Sequence, residues 1–139
     1  MKDNIRDVMT PNPKTLAQSA TIMEAACTMR DNDIGDVVVL DNGRLCGILT
    51  DRDIVVRGLA AGCDPSRTSV GEICSRSLVT LAPEDSTGQA VRLMRERAIR
   101  RLPIEEHGRV VGIVTIGDVA VDADRRSALA DISAAPPNV

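Results

Sequence analysis

The chain has 139 residues, of which 43% are hydrophobic and 27% are charged, and its formal net charge is −3. This composition is typical of a globular protein, and no apolar run approaches the roughly 18 residues that would cross a membrane. The polar start Met1-Lys2-Asp3-Asn4 lacks the apolar stretch of a signal peptide, so we expect a cytoplasmic protein. Aromatic residues are absent and the charge balance is acidic. Nucleic-acid binding is therefore not expected, because bases stack on aromatic side chains and duplexes attract basic surfaces.

An internal repeat organises the sequence. Gly47-Ile48-Leu49-Thr50-Asp51-Arg52-Asp53 returns 65 positions later as Gly112-Ile113-Val114-Thr115-Ile116-Gly117-Asp118. The same offset pairs Thr15-Leu16-Ala17 with Thr80-Leu81-Ala82, without a gap. A single copy would bury too little surface to be stable, so we expect the two copies to pack together as one pseudo-symmetric body.

Each copy begins with a short extended piece, at 14–16 and at 78–81. A helix is then predicted to start at a capping box, formed by Thr21 with Glu24 and repeated by Ser86 with Gln89. Apolar residues at helical spacing follow each box and predict one core-facing side per helix. They are Ile22, Ala25, Ala26 and Met29 in the first copy and Ala90, Val91, Leu93 and Met94 in the second.

A hairpin and a short helix complete each copy. Two β-rich runs at 37–40 and 45–49 flank an Asn42-Gly43 turn, and runs at 102–104 and 110–114 flank a turn that carries His107. Pro103 indicates a strand end or an edge strand. Short helices are predicted at 51–57 and 116–122. The expected fold is therefore α/β (α+β), with two β-α-β-β-α repeats.

The predicted organisation comprises a first repeat over 1–62, a second repeat over 63–126 and a mobile tail over 127–139. The stretch 58–69 carries glycine, proline and serine, which indicates a connector with turns. The tail ends in Pro136-Pro137 and has little to bury.

The cysteines and the lone histidine do not indicate a metal site or a catalytic site. The four cysteines have no Cys-x-x-Cys spacing, and we interpret them as buried or incidental free thiols of a reducing cytosol. His107 lies at an expected solvent-exposed hairpin tip. Neither a Cys-His nor a Ser-His-Asp constellation nor a P-loop lysine is present, so an enzyme is not expected.

A Thr-x-x-Asp segment follows a strand in both copies, as Thr50 with Asp53 and Thr115 with Asp118. One interpretation is a helix cap, in which the hydroxyl accepts a hydrogen bond from a helix amide. The other is a ligand site, because the preceding Gly47 and Gly112 allow a ligand or another backbone to approach the strand, and the helix N-terminus offers unpaired amides to an anion. A carboxylate can accept hydrogen bonds from the vicinal diol of a ribose.

The ordered set of motifs, twice over, resembles a tandem pair of CBS domains, named for cystathionine β-synthase. The resemblance covers nearly the whole chain and depends on the two Gly-to-Asp segments above, together with three further segments. These are Val8-Met9-Thr10-Pro11, Asp33-Ile34-Gly35 and Ile99-Arg100-Arg101-Leu102-Pro103-Ile104. It implies a Bateman module, in which two repeats join around a pseudo-twofold axis and leave two clefts for adenosine ligands such as AMP, ADP, ATP or S-adenosylmethionine.

The resemblance also implies roles for particular residues. Asp53 and Asp118 would hold ribose hydroxyls, and Thr50 and Thr115 would contact the ribose or the α-phosphate. The adenine would lie beside Val38 in one cleft and beside Pro103 in the other. Arg100 and Arg101 match a basic pair that reaches phosphates, although they could instead be an exposed pair in a cluster with Arg95 and Arg97. The carboxylates could also hold Mg²⁺ beside a triphosphate.

The two clefts are not expected to be equal. The first copy has Gly35 and Asp36 where the second has Arg100 and Arg101, so it lacks the positive pair. Arg52 could compensate, and its counterpart in the second copy is Gly117. Phosphate binding is therefore expected in the second cleft.

The function predicted from these patterns is an adenosine-binding regulatory module that forms a homodimer and acts on a separate, unidentified effector protein. A ligand-free structural dimerisation module with the same fold is the alternative. An enzyme is the least favoured class.

Overall fold

The computed structural model describes residues 4–76 and 78–123, with six helices and six strands among them. The predicted tail over 127–139 lies outside the described residues. None of the described helices is both long and apolar enough to cross a membrane. The helices are α1 (Ile5–Val8), α2 (Ile22–Asn32), α3 (Asp51–Asp53), α4 (Val70–Ile73), α5 (Thr87–Arg97) and α6 (Ile116–Ala123). The strands are β1 (Thr10–Pro11), β2 (Thr15–Ala17), β3 (Asp36–Asp41), β4 (Arg44–Thr50), β5 (Arg101–Glu106) and β6 (Arg109–Thr115).

Both long helices begin where the sequence predicts. The Glu24 amide donates to Thr21 Oγ1 at 3.1 Å and the Thr21 amide donates to Glu24 Oε2 at 3.1 Å, which completes the capping box of α2. Ser86 and Gln89 form the same reciprocal pair at the start of α5. Because these hydrogen bonds satisfy helix amides that would otherwise lack an acceptor, the box fixes the first residue of each helix.

The chain divides into two compact units, and neither consists of one repeat alone. We call Pro13–Leu78 the central unit, and Met1–Asn12 together with Val79–Val139 the terminal unit. The first twelve residues therefore belong with the second repeat, whereas 63–78, which precede the second hairpin, belong with the first. This exchange distinguishes the units from the predicted repeats over 1–62 and 63–126.

The central unit consists of a three-stranded sheet covered by helices on one face. The strand order is β2-β3-β4, with β2 parallel and β4 antiparallel to β3. Alternate residues Val37 and Val39 of β3 point to the helical side, where they are fully buried. The core on that side is aliphatic because the chain has no aromatic residue. It includes Ile22, Ala25, Met29, Leu49, Ile54, Val70, Ile73 and Cys74.

The terminal unit repeats this arrangement with the order β1-β6-β5. Leu102 and Ile104 of β5 and Val114 of β6 point into its core. Helix α5 contributes Ala90 and Met94, as the helical spacing predicts, and α1 contributes the fully buried Ile5.

Two short helices, α1 and α4, were not predicted from the sequence. They are equivalent under the 65-residue offset, since Ile5 corresponds to Val70 and Val8 corresponds to Ile73. The residues after each helix pair antiparallel with a sheet edge: Thr10 with Ile113 in β6, and Ser75 with Ile48 in β4. We call residues 5–12 and 70–76 the leading segments of the two repeats. Each leading segment thus extends the sheet of the unit that contains the other repeat's hairpin.

The extended piece predicted at 78–81 is reduced to an isolated bridge between Leu81 and Ile104. In the central unit the equivalent strand β2 is supported by a 2.9 Å hydrogen bond from the Val38 amide to the Lys14 carbonyl oxygen. The residue equivalent to Val38 is Pro103, which has no amide hydrogen to donate. Pro103 lies within β5, the edge strand of the named sheet, which confirms the predicted edge position.

The hairpin turns and the short helices after them also follow the predicted pattern. Asn42 and Gly43 adopt positive φ angles of 50° and 80°, and His107 and Gly108 adopt 53° and 77°, as in type I′ turns. His107 is exposed at this tip. The helix predicted at 51–57 is longer, because α3 continues as a π-helical segment over Ile54–Leu59.

Gly47 and Gly112 are required by backbone that approaches them from the leading segments. A Cβ at Gly47 would lie 2.6 Å from the Ser75 carbonyl oxygen and 2.7 Å from Cys74 Sγ. A Cβ at Gly112 would meet the Met9 side chain and would lie 3.1 Å from the Thr10 carbonyl oxygen. The sequence left open whether a ligand or another backbone approaches these glycines, and the structure assigns both spaces to protein.

Replacing either glycine with alanine is expected to destabilise the protein by about 1–3 kcal/mol, because the added methyl group must displace packed backbone. The matched control is Gly88→Ala in α5, where the nearest atom outside the helix backbone, Ser86 Oγ, lies 3.7 Å from the new Cβ. The midpoint of urea unfolding measures the effect. Unchanged midpoints for Gly47→Ala and Gly112→Ala would contradict the close packing of the leading segments.

Candidate functional site

The Thr-x-x-Asp segments form helix caps in both units. The Asp53 amide donates to Thr50 Oγ1 at 3.2 Å, and the Thr50 amide donates to Asp53 Oδ2 at 2.9 Å. Thr115 and Asp118 form the same pair, at 3.1 and 2.8 Å. The capping interpretation is therefore confirmed. Within the described part of the chain, Oδ1 of each aspartate accepts no hydrogen bond, so each carboxylate retains an acceptor for a ligand.

Strand register brings the basic pair to the cap of the terminal unit. Arg101, the first residue of β5, pairs directly with Thr115 at the end of β6. The neighbouring Arg100 is exposed, and its carbonyl oxygen accepts a 2.9 Å hydrogen bond from the Ile116 amide. The structure thus places Arg100, Arg101, Thr115 and Asp118 at one end of the β5–β6 hairpin.

The same register gives the central unit an acidic end. Asp36 occupies the position opposite Thr50, and the Gly35 carbonyl oxygen accepts the Asp51 amide at 3.0 Å. Arg52 is exposed on the first turn of α3. The charge difference that the sequence predicts between the repeats therefore lies at equivalent positions of the two folds.

The helix N-termini differ in the amides that they offer to an anion. In the central unit the Arg52 amide donates to Asp51 Oδ1 at 2.8 Å, so the first three amides of α3 all have acceptors. The expectation of unpaired amides for an anion is therefore wrong for this helix. In α6 the equivalent residues are Ile116 and Gly117, and the apolar Ile116 side chain cannot accept the Gly117 amide. At this position the second repeat therefore lacks the side-chain acceptor that Asp51 supplies in the first repeat.

Val38 and Pro103 lie on the sheet face opposite the core clusters. Val38 pairs with Ile48 and Pro103 pairs with Ile113, and neither Val38 nor Pro103 belongs to a cluster. Alternate strand residues share a face, so Val38 lies on the same face as Thr50, and Pro103 on the same face as Thr115. Both Val38 and Pro103 are buried, so neither side chain is exposed to a ligand in this structure.

Ile116 is a residue at this site that the sequence reasoning missed. Its side chain is 54% exposed at the first position of α6, beside Thr115. The sequence contained a signal for it: the 65-residue offset aligns Ile116 with the acidic Asp51, so an apolar residue stands at a helix start where the first repeat has a charged one. An exposed isoleucine at a helix start offers apolar contact to a ligand.

Comparison with known proteins identifies the family. The CBS domain model matches residues 5–59 and 70–121, so it covers most of the chain in two copies. The chain belongs to the CBS domain family. The repeat, the α/β fold class and the motifs quoted above are those of a CBS domain pair, which confirms the family and fold predicted from the sequence.

Relatives of this CBS protein include proteins of similar length. CBS domain-containing protein YhcV of Bacillus subtilis is 42% identical over 119 residues, which are 86% of this chain and 84% of YhcV. Hypoxic response protein 1 of Mycobacterium tuberculosis is 40% identical over 116 residues, which are 83% of this chain and 81% of that protein.

Two solved structures add information on what similar proteins bind. Hypoxic Response Protein I, solved with two coordinated zinc ions, superposes with a TM-score of 0.75 at 38% identity, over 86% of this chain and 98% of its own. The CBS domain pair of protein MJ0100, in complex with 5′-methylthioadenosine and S-adenosyl-L-methionine, gives 0.76 at 28% identity, over 89% and 98%. Among the described residues of the present chain, no three His, Cys, Asp or Glu side chains are grouped to hold a metal.

Proposed function

We propose that this CBS protein is a regulatory module that binds an adenosine nucleotide and acts on a separate effector protein rather than catalysing a reaction. The observation that carries the proposal is the end of the β5–β6 hairpin. There, a carboxylate with one unused oxygen, two arginines and an exposed apolar side chain lie around one helix N-terminus. The adenosine compounds bound by the similar MJ0100 pair support this ligand class.

The proposed roles in the second repeat follow from these groups. Asp118 Oδ1 accepts hydrogen bonds from the ribose hydroxyls, while Oδ2 remains in the helix cap. Arg100 and Arg101 attract the phosphates, together with the Gly117 amide at the positive end of α6. Ile116 contacts the nucleoside, and the adenine lies beside the backbone around Pro103. A triphosphate would bring Mg²⁺ with it as its own counterion.

The first repeat is proposed to take an adenosine ligand with little or no phosphate. Asp53 and Thr50 repeat the ribose-binding cap, and the backbone around Val38 borders the base. Asp36 and Asp51 lie beside this cap where the second repeat has Arg101 and Ile116, and Arg52 belongs to the first turn of the same helix. Like charges repel phosphate, so adenosine itself or a cationic compound such as S-adenosylmethionine fits this repeat better than ATP.

Asp118→Asn tests the ribose contact directly. The amide oxygen can still accept the Thr115 amide, so the melting temperature is expected to change little, whereas nucleotide affinity is expected to fall at least about tenfold, or roughly 1.4 kcal/mol. Thermal melts without ligand, beside calorimetric titrations with AMP, ADP, ATP and S-adenosylmethionine, measure both effects. A variant that melts early but binds normally would restrict Asp118 to a capping role.

Arg101→Ala tests the phosphate contact. It is expected to weaken ATP binding by about 1.5–3 kcal/mol, the range for a charge-assisted hydrogen bond, and to leave adenosine binding nearly unchanged. Arg109→Ala is the matched control, since Arg109 is exposed at the opposite end of β6 and its loss alters net charge equally. Asp36→Ala should also leave ATP binding intact. Equal losses for ATP and adenosine in Arg101→Ala would mean that Arg101 does not contact phosphate.

The alternative function, a ligand-free dimerisation module, is favoured by one surface. The π-helical segment exposes Val55, Val56 and Leu59, each about half accessible, and such neighbouring apolar side chains are typical of protein contacts. Both functions predict a homodimer, so self-association alone does not separate them. A dimer that binds none of the four adenosine ligands would favour the structural role.

We expect a homodimer by light scattering at micromolar concentrations. Val55→Asp is expected to shift the protein towards monomer, because it buries a charge in the proposed contact. Ala17→Asp, which adds the same charge at an exposed position of β2, is expected to leave the dimer intact. A strict monomer for the unmodified protein, or equal effects of both variants, would overturn the proposed contact surface.

A further inference from the structure

Cys46 and Cys74 are brought together in the central unit by an irregularity in β4. Val39 pairs with Gly47, and the next residue, Leu40, pairs with Leu45, so Cys46 is an extra residue in a β-bulge. In a regular strand Cys46 would point away from the side that Gly47 faces. The bulge redirects it, and Cys46 packs against the helical core cluster that contains Cys74.

The Cys74 sulfur lies against the strand that carries Cys46. Cys74 Sγ lies 2.7 Å from where a Gly47 Cβ would be, which places it against the backbone next to Cys46. Burial raises the pKa of the Cys74 thiol, and the neighbouring Cys46 thiol acts in the same direction. Cys74 is 5% exposed, whereas Cys46 is only partly buried, so a small solute in solution reaches Cys46 first.

An arginine is held beside the more accessible sulfur. Arg76 Nη1 donates to Cys46 Sγ at 2.9 Å, while Nη2 donates to the Gly71 carbonyl oxygen at 2.6 Å and fixes the guanidinium in place. The positive charge of Arg76 lies where negative charge would develop on sulfur during attack on a peroxide, and cationic neighbours are typical of cysteines that react with peroxides. The site therefore combines an accessible thiol, a cation beside it and a buried second thiol.

The fold itself does not require this combination. Under the 65-residue offset, Cys46, Cys74 and Arg76 correspond to Val111, Met9 and Pro11. The terminal unit forms the same bulge and the same close approach to a glycine, but with side chains that cannot form a disulfide. The thiol pair is thus a property of the central unit alone.

We propose that Cys46 and Cys74 form a peroxide-responsive pair that closes a reversible intramolecular disulfide. The Cys46 thiolate attacks one oxygen of hydrogen peroxide, the O–O bond breaks, and the products are Cys46 sulfenic acid and, after proton uptake, water. The Cys74 sulfur then attacks the sulfenic sulfur, loses its proton and displaces a second water. Two thiols are oxidised by two electrons, peroxide is reduced to two waters, and a dithiol reductant reverses the reaction.

The disulfide would tie the segment after α4 covalently to β4. This segment and β4 already share two backbone hydrogen bonds between Ile48 and Ser75, at 2.9 and 3.0 Å. Closing the loop between residues 46 and 74 restricts the unfolded chain, so the oxidised protein is expected to melt at a higher temperature than the reduced protein. This consequence does not depend on whether a nucleotide binds.

Mass spectrometry of the peroxide-treated full-length protein tests the proposal. Trypsin places each of the four cysteines on a separate peptide, and the expected product joins 45–52 to 68–76. Free thiols should fall from four to two and return with dithiothreitol. A double variant that combines Cys27→Ser with Cys63→Ser is the control and should form the same linked peptides. Retention of four free thiols, or linkage through Cys27 or Cys63, would overturn the proposal.

Single variants separate the two roles. With Cys74→Ala, the sulfenic acid on Cys46 should persist and be trapped by dimedone, whereas Cys46→Ser should give neither adduct nor disulfide. Arg76→Met should slow the loss of thiols about tenfold, while Arg67→Met, which removes an exposed arginine of the same unit, should not. Trapping on a residue other than Cys46, or equal rates for both arginine variants, would contradict the assigned roles.

Discussion

The close approach of a leading segment to the edge of a sheet is the contact on which each unit depends. Ile48 and Ser75 exchange two backbone hydrogen bonds, and Thr10 pairs with Ile113 in the equivalent place. Without these segments the edges of β4 and β6 would present unpaired amides and carbonyls. The helices that precede them insert Ile5 and Val70, both fully buried, into the cores. A repeat without the other's leading segment lacks part of both its sheet and its core.

This constraint leaves the candidate site to a few positions at the other end of each hairpin. The leading segments fill the space beside the glycines of β4 and β6. The groups that remain available to a ligand therefore lie at the threonine that ends each strand and beyond it. There the aspartate of each cap satisfies the helix with one oxygen and keeps the other. A single carboxylate can therefore cap the helix and also take the proposed ribose contact, because the two tasks use different acceptor atoms.

The two units share a backbone and differ in side chains at equivalent positions. Arg101 pairs with Thr115 in the terminal unit, and Asp36 pairs with Thr50 at the equivalent position of the central unit. Cys46 and Cys74 of the central unit likewise correspond to Val111 and Met9 of the terminal unit. Packing restricts the size and shape of the side chains at these positions, but it does not determine their charge or their thiol chemistry. Because of this asymmetry, the two repeats can respond to different chemical signals. The proposed ligand preferences and the proposed thiol pair are two such differences.

The sequence by itself determined the repeat, both long helices, both hairpins and the paired caps, because these depend on local spacing, capping boxes and Asn-Gly or His-Gly turns. It also located the charge difference between the repeats, since the offset of 65 residues compares equivalent positions directly. Only the tertiary structure decided that backbone fills the space beside each glycine, that α1 and α4 exist and that a bulge brings Cys46 to Cys74. Such contacts join residues far apart in the chain, and no local pattern encodes them. Pro103 lies between the two cases: its edge position was predictable, but the loss of a strand at 78–81 followed from a missing hydrogen bond across the sheet.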